Sequence, residues 1–201
     1  MKIRSWRRRD AEAVRRICLA TGDGGDPVHP IMRDPELFAH VFTDPYLLLQ
    51  PEFAFVAESG GAVLGYVVAA LNTEEFYARW QLEWSPRFGA SHPASSRPDP
   101  RYADSQLRAY LHRPRLLLPR DLDGYPSHLH INLVPAARGR GGGRRLLDTA
   151  FAELARAGSP GVQLAVRPSS TGAHAFYRAV GMTRLPSDDQ VEIRFGRPLD
   201  G

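Results

Sequence analysis

Between residues 138 and 145 the chain runs Arg-Gly-Arg-Gly-Gly-Gly-Arg-Arg, arginines threaded with glycines. Leu146, Leu147, Ala150, Phe151 and Leu154 then keep a helical period, and Gly158 follows as a stop. Upstream, His128 to Val134 alternates strictly, which predicts a strand. A glycine-rich turn between a strand and a helix start has a chemical use. Each glycine costs roughly 1 kcal/mol relative to alanine in a helix. In exchange, bare backbone N–H groups can reach an anion, and the helix N-terminus adds partial positive charge. A phosphate is the expected guest, held around Arg138, Gly139, Arg140, Gly141, Gly142, Gly143 and Arg144. The segment is not a Walker loop, since no Lys followed by Ser or Thr closes it. The dinucleotide pattern G-x-G-x-x-G, started at Gly139, fails at Arg144.

Other residues could act beside such a guest. His128, His130 and Asn132 share one strand face, because side chains alternate with period two. A neutral imidazole titrating at about 6.5 suits proton removal, directly or through water. The same histidines could equally be hydrogen-bonded residues lining a cleft. A zinc site at His128 and His130 lacks a third ligand, so no metal is expected. Asp23 and Asp26 flank Gly24-Gly25, where they could bind a cationic amine or simply shape a turn. Tyr77, Trp80 and Trp84 are spaced along one side of a segment; they wall an acceptor site or belong to the core. His174 is expected at the surface.

The elements that must carry these residues follow from the pattern. Ile3 to Trp6 alternates as a short strand, Asp10 offers an N-cap, and Ala13, Val14, Ile17 and Cys18 stripe a first helix. A flexible loop follows from Thr21 to Pro27. Leu37, Phe38, Val41 and Phe42 predict a second helix, stopped near Asp44-Pro45. Phe53–Glu58 and Ala62–Leu71 form a hairpin around Ser59-Gly60-Gly61. From about 85 to 126 seven prolines interrupt the pattern, which predicts an irregular insertion with one short helix from Tyr102 to Leu111. The chain then alternates strand, helix, strand, helix and strand, with Val162–Val166 and Thr171–Val180 as the later pair, in one α/β domain spanning 1–201.

Arg-x-x-Gly-x-Gly from Arg138 to Gly143, after a strand ending Leu133-Val134-Pro135, resembles the acetyl-CoA pyrophosphate loop of the GNAT superfamily of N-acetyltransferases. Ser170, Ala173, Phe176, Tyr177 and Gly181 are similar to that family's second signature, Asn-x-x-Ala-x-x-(Leu/Phe)-Tyr-x-x-x-Gly-Phe, with Ser170 for the Asn and Met182 for the Phe. The resemblance implies acetyl-CoA as co-substrate, bound also by Leu133, Val134, Ser170 and Ala173, with a thioester carbonyl met by strand N–H groups near Leu133. It implies Tyr177 as the acid that protonates the departing thiolate. Tyr177 is turned about 100° from Phe176 on the helix, so it can leave the core face that Phe176 and Val180 share. The base position holds His128 and His130 where many relatives carry Glu. Asp23, Asp26, Trp84 and Asn132 fall where this fold places its acceptor. The implied fold is α/β: a central mixed, mostly antiparallel sheet, splayed at strands 4 and 5 and flanked by helices.

A series of shorter matches, among them Thr21-Gly22-Asp23-Gly24-Gly25-Asp26, Leu82-Glu83-Trp84-Ser85-Pro86 and Tyr125-Pro126-Ser127-His128-Leu129, resembles the acetyltransferase-like C-terminal domain of animal O-GlcNAcase and its stand-alone bacterial relatives. The animal domain lacks the glycine loop and is regarded as a pseudo-acetyltransferase; this chain keeps the loop. Two functions therefore stand: direct acetyl transfer from acetyl-CoA to a primary amine, or acetyl-CoA binding without turnover.

Composition excludes other classes. A 201-residue chain, 43% hydrophobic and 24% charged, can bury a core without staples. Cys18 is the sole cysteine, so no intrachain disulfide forms and a reducing bacterial cytoplasm is expected. No apolar run approaches about 18 residues, and Arg7-Arg8-Arg9 leads into Asp10 and Glu12 instead of a signal peptide's apolar stretch. A membrane is not an expected partner. The net charge of +4 suggests an anionic one. Of 26 basic residues only Lys2 is lysine, a skew that reflects codon usage. Glycines interleaved with Arg138–Arg145 argue for one compact anion, a nucleotide cofactor instead of nucleic acid.

Overall fold

A computed structural model of the chain describes residues 1–28, 32–94, 103–121, 123–186 and 192–199. Its strands are β1 (Lys2–Ser5), β2 (Ala54–Ser59), β3 (Ala62–Ala70), β4 (Ser127–Leu133), β5 (Gly161–Val166), β6 (Thr183–Arg184) and β7 (Ile193–Pro198). They form one sheet in the order β1-β2-β3-β4-β5-β7-β6. Every neighbouring pair is antiparallel except β4 and β5, which run parallel and pair only at Ser127–Val162 and His128–Gln163. Beyond those two positions the strands part.

Period-two alternation divides the apolar residues between two cores. Val56, Tyr66 and Val68 face one layer, with α1 (Ala11–Thr21), α2 (Glu36–Phe42), α3 (Asp44–Leu49), α4 (Thr73–Arg79) and α5 (Asp104–His112). Phe55, Ala57 and Val67 face the other, with α6 (Gly142–Arg156), while Phe176 and Tyr177 of α7 (Thr171–Ala179) pack at its edge. Cys18 lies in the first layer, where burial pushes its thiol up to about 11.

Two expectations change in this frame. Asp10 does not cap α1. Its carboxylate turns back to accept the Arg7 N–H at 2.7 Å and two guanidinium bonds from Arg4, at 2.6 and 2.9 Å, which hold the carboxyl below its usual range. The second helix does stop near Asp44-Pro45, but α3 begins at that point with Pro45 in its first turn, a position where a missing N–H costs nothing. Asp44 anchors α3 by accepting from Arg15 and facing His40 Nδ1 at 2.8 Å. The 85–126 insertion contributes to the core as well. After α4 the chain widens into a π turn (Trp80–Trp84), and Trp84, Phe88, Leu107 and Leu111 are buried in the first core. Tyr102, expected to begin the short helix, lies outside the described residues.

One close approach sets where α6 starts. Gly65 pairs with Leu133, and a Cβ on Gly65 would stand 2.6 Å from Leu133 Cγ. The Leu133 methyls in turn lie 3.4 and 3.5 Å from where Gly142 and Gly143 would carry side chains. Leu133 thus fills space that three glycines leave, and the first turn of α6 sits against the end of β4. Gly65→Ala should overpack this contact and lower stability by about 1–3 kcal/mol, read from the urea midpoint; an unchanged midpoint would show that Leu133 moves aside freely.

Candidate active site

The parting of β4 from β5 opens a cleft of about 1840 Å³ whose walls include β4, the glycine turn, the start of α7 and part of the 103–121 segment. Val134 donates its N–H to Leu64 O at 2.9 Å, so that group faces β3. Orientation alternates along a strand, which turns the Leu133 and Ile131 N–H groups to the parted edge. Arg138 Nε confirms the direction by donating to Leu133 O at 3.2 Å.

Next along the chain, Gly139 (φ +70°) and Gly141 (φ +75°) adopt left-handed backbone with nothing within 4 Å of an added Cβ. Gly141 precedes α6 and no side chain caps the helix, so the first-turn N–H groups have no intrahelical acceptor. Gly143 faces Phe176 and the cleft, whereas Gly142 faces Met1 on the opposite side. The residues present fit a phosphate. The arginines do not act alike. Arg138 NH2 donates to Gly25 O at 2.9 Å and Arg144 donates to Ala179 O; both line the cleft and keep further donors. Arg140 is exposed, and Arg145 turns to Met1 O.

The facing wall is the start of α7. Ser170, Ala173, Phe176 and Tyr177 line the cleft together. Ser170 stands at the N-cap without capping the helix. The Tyr177 ring packs against Phe176 and Phe195, and its hydroxyl hydrogen-bonds none of the described residues. Burial pushes that phenol up to about 12, so it carries its proton at neutral pH. His174, expected at the surface, is half-buried against Phe195.

On β4 the three predicted polar residues do share a face and line the cleft. Asn132 is internally satisfied: its Nδ2 donates to Thr21 O and Oγ1, and its Oδ1 accepts from Tyr66. His128 is buried, with Nε2 2.7 Å from Tyr46 Oη and Nδ1 2.8 Å from Thr73 Oγ1. His130 Nε2 lies 3.0 Å from the same Tyr46 hydroxyl. Burial lowers His130 to about 4 and His128 well below the ordinary histidine value, the latter also through His130 and Arg194. Both rings are neutral at pH 7, well away from the midpoint expected of a free imidazole.

The remaining predicted residues lie apart. Asp23 pairs with Arg167, a cation of the β5–α7 turn, and Asp26 is exposed; neither carboxylate lines the cleft. What that loop contributes is its backbone at Gly24 and Gly25, held by Arg138 and Arg167. Trp84 is core, donating Nε1–H to His40 O at 2.9 Å and packing on Phe88. Val134 is likewise outside the lining. Tyr46, Thr73 and Arg167 were not signalled as site residues, because each is recruited by a partner far away in the chain. Among the described residues, no group of three His, Cys, Asp or Glu is placed to hold a metal, and no helix is long and apolar enough to cross a membrane.

Comparison with known proteins agrees with this geometry. The chain matches the model of the acetyltransferase (GNAT) family over residues 26–182. The crystal structure of SsHAT is similar at TM-score 0.94 and 35% identity, covering 100% of this chain and 98% of that one. At lower identity the fold alone is shared. yncA from Salmonella typhimurium, solved with its cofactor acetyl-CoA, gives TM-score 0.56 at 14% identity over 99% and 94% of the two chains. The ribosomal-protein-alanine N-acetyltransferase from Brucella melitensis gives 0.56 at 15% over 99% and 100%.

The depressed His130 value has a sign that can be checked. An unfolded histidine takes up its proton at about 6.5, the folded one at about 4. As pH falls through that window the unfolded chain binds more protons, so stability declines. The urea midpoint of His130→Asn should fall less steeply between these values than that of the parent protein. Parallel curves would mean His130 is not held neutral by the fold.

Proposed function

The chain belongs to the GNAT family of acetyltransferases, and from that membership we propose that it moves an acetyl group directly from acetyl-CoA to a primary amine, with both substrates in the cleft together. The observation that carries this reading is the parted β4 edge. The open Leu133 N–H, the glycine cradle, the Tyr177 hydroxyl, which bonds none of the described residues, and His130 all meet in one cleft.

When bound, acetyl-CoA supplies the activated acetyl thioester. The chain's own groups do the rest. N–H groups of Gly141 to Arg144, with Arg138 and Arg144, hold the pyrophosphate at the start of α6. The Leu133 N–H polarises the carbonyl, a role that needs a fixed donor in a dry site. His130 removes a proton from the amine. The neutral ring offers a lone pair, and the amine nitrogen becomes acidic enough to yield its proton once the attack places positive charge on it. Tyr177 holds a proton for the departing thiolate, and Ser170 and Ala173 keep α7 close without bulk. Asp23, Asp26, Trp84 and Asn132 leave the acceptor role to other cleft residues, since each is paired within the protein, exposed or in the core. Phe42 and Tyr77, which line the cleft beside the histidines, are the better acceptor-side walls.

Free-thiol release from acetyl-CoA should appear with at least one member of a panel of small amines, peptides and aminosugars. Acetyl-CoA binding without acceptor-dependent release from any of them would favour the non-catalytic alternative. Gly143→Leu should cut acetyl-CoA affinity at least about tenfold by calorimetry, because the side chain enters the cradle against Phe176, while the chain stays folded. Tyr177→Phe should lower kcat by about a hundredfold, the scale of a lost general acid, with acetyl-CoA affinity kept. Equal loss of both would make Tyr177 structural.

A further inference from the structure

The polar groups behind His130 form a chain whose direction is set by its far end. Thr73 Oγ1 lies 2.7 Å from Pro126 O, and a carbonyl only accepts, so the single Thr73 proton is donated there. Thr73 Oγ1 must then accept at its other contact, which makes His128 Nδ1 the protonated nitrogen, 2.8 Å away. His128 is neutral, so its Nε2 bears the lone pair and accepts the Tyr46 hydroxyl proton at 2.7 Å. The Tyr46 oxygen accepts in turn from His130 Nε2–H at 3.0 Å. Only one proton arrangement satisfies all four contacts, and within it Tyr77, which also hydrogen-bonds Tyr46, is a second donor to the Tyr46 oxygen. It leaves His130 Nδ1 with a bare lone pair, and that nitrogen meets no hydrogen-bonding partner among the described residues, on a ring that lines the cleft. Tyr46 itself is 1% exposed and stacked on Phe76 with ring centroids 4.5 Å apart, so its hydroxyl has little freedom to turn.

We propose that Tyr46 is a positioning residue that locks the His130 Nε2–H tautomer, making Nδ1 the atom that takes the acceptor's proton. The proposal rests on the transferase reading of the cleft. In the step it governs, the amine lone pair bonds the acetyl carbon, Nδ1 takes the nitrogen's proton as the N–H electrons return to nitrogen, the C–S pair leaves on sulfur to be protonated by Tyr177, and His130 becomes an imidazolium whose Nε2–H stays on the Tyr46 oxygen. The charge does not move on through Tyr46. His128 sits deeper, on the same strand as His130 and against Tyr46 of α3 and Tyr77 of α4, with the Arg194 cation of β7 opposing a second positive charge. The array orients a base and does not carry a proton away.

Long-range ¹H–¹⁵N correlation spectra of the histidine rings test this on the intact protein. The expected pattern at neutral pH is Nε2–H with bare Nδ1 for His130, and Nδ1–H with bare Nε2 for His128. Tyr46→Phe keeps the stacked ring and removes the hydroxyl; a His130 Nδ1–H signal should then appear, and kcat should drop about tenfold or more with KM for acetyl-CoA unchanged. Thr73→Val should disturb the His128 tautomer in the same spectra, and Thr73→Ser should restore it. A parent spectrum with His130 protonated at Nδ1, or a Tyr46→Phe spectrum identical to the parent, overturns the proposal. So does a tautomer shift with kcat unchanged. If no amine is ever acetylated, the transferase reading fails while the spectra still decide whether Tyr46 sets the tautomer.

Discussion

Two paired positions hold β4 to β5, and then the strands separate. Backbone N–H and carbonyl groups on the facing edges are strong hydrogen-bonding groups that lose their ladder partners there. A protein tolerates such an opening only where water or a ligand completes it. The rest of the architecture is arranged around this gap. The helices of one layer pack on β2 to β4, α6 closes the other face, and α7 forms the second bank. The glycine turn lies at the gap's end, so the exposed strand edge and the uncapped helix start open onto the same cleft from adjoining directions.

The polar face of β4 carries two hydrogen-bond systems with opposite outcomes. Around Asn132 each donor and acceptor finds a partner within the protein: Thr21 passes its proton to Ile17 O, and Tyr66 serves the amide oxygen. That system closes on itself and stiffens the junction of α1 with the sheet. The one through Tyr46 begins at Pro126 O and ends on an imidazole nitrogen with nothing left to bind. Residues two apart on one strand therefore differ in kind, one fully hydrogen-bonded and one with a ring nitrogen left open among the described residues, although their side chains emerge on the same face. Across the cleft, the Thr21–Asp26 loop is bound to the glycine turn by Arg138 and to the β5–α7 turn by Arg167. Both sides of the gap are thereby tied to one strap.

Local chemistry made much of this legible from the amino acids alone. The glycine–arginine turn, the alternation of His128 to Leu133 and the helix carrying Tyr177 are contiguous patterns, and the structure assembles them around one cleft. What escaped notice depends on distant partners. Tyr46 and His128 are 82 residues apart, and nothing around Tyr46 marks it as different from its apolar neighbours in α3. Asp23 looks like a free carboxylate until Arg167 arrives from 144 residues further along the chain. The segment after Trp80 defeated periodicity for a local reason. A π turn shifts the helical phase there, and α5 buries only two of its apolar side chains, Leu107 and Leu111, too few for a stripe. The histidines depart from the ordinary imidazole value because burial is a property of the folded surroundings, absent from a residue's type.

Cys18 carries a consequence for the product side of the reaction. Transfer of the acetyl group leaves coenzyme A as a free thiol, which oxidises readily to disulfides. Disulfide exchange needs a thiolate on the protein, and Cys18 is 1% exposed, with its thiol pushed up to about 11. The chain has no other cysteine. Released or oxidised coenzyme A therefore meets no sulfur here to which it can become covalently attached, and the enzyme escapes thiolation by its own product.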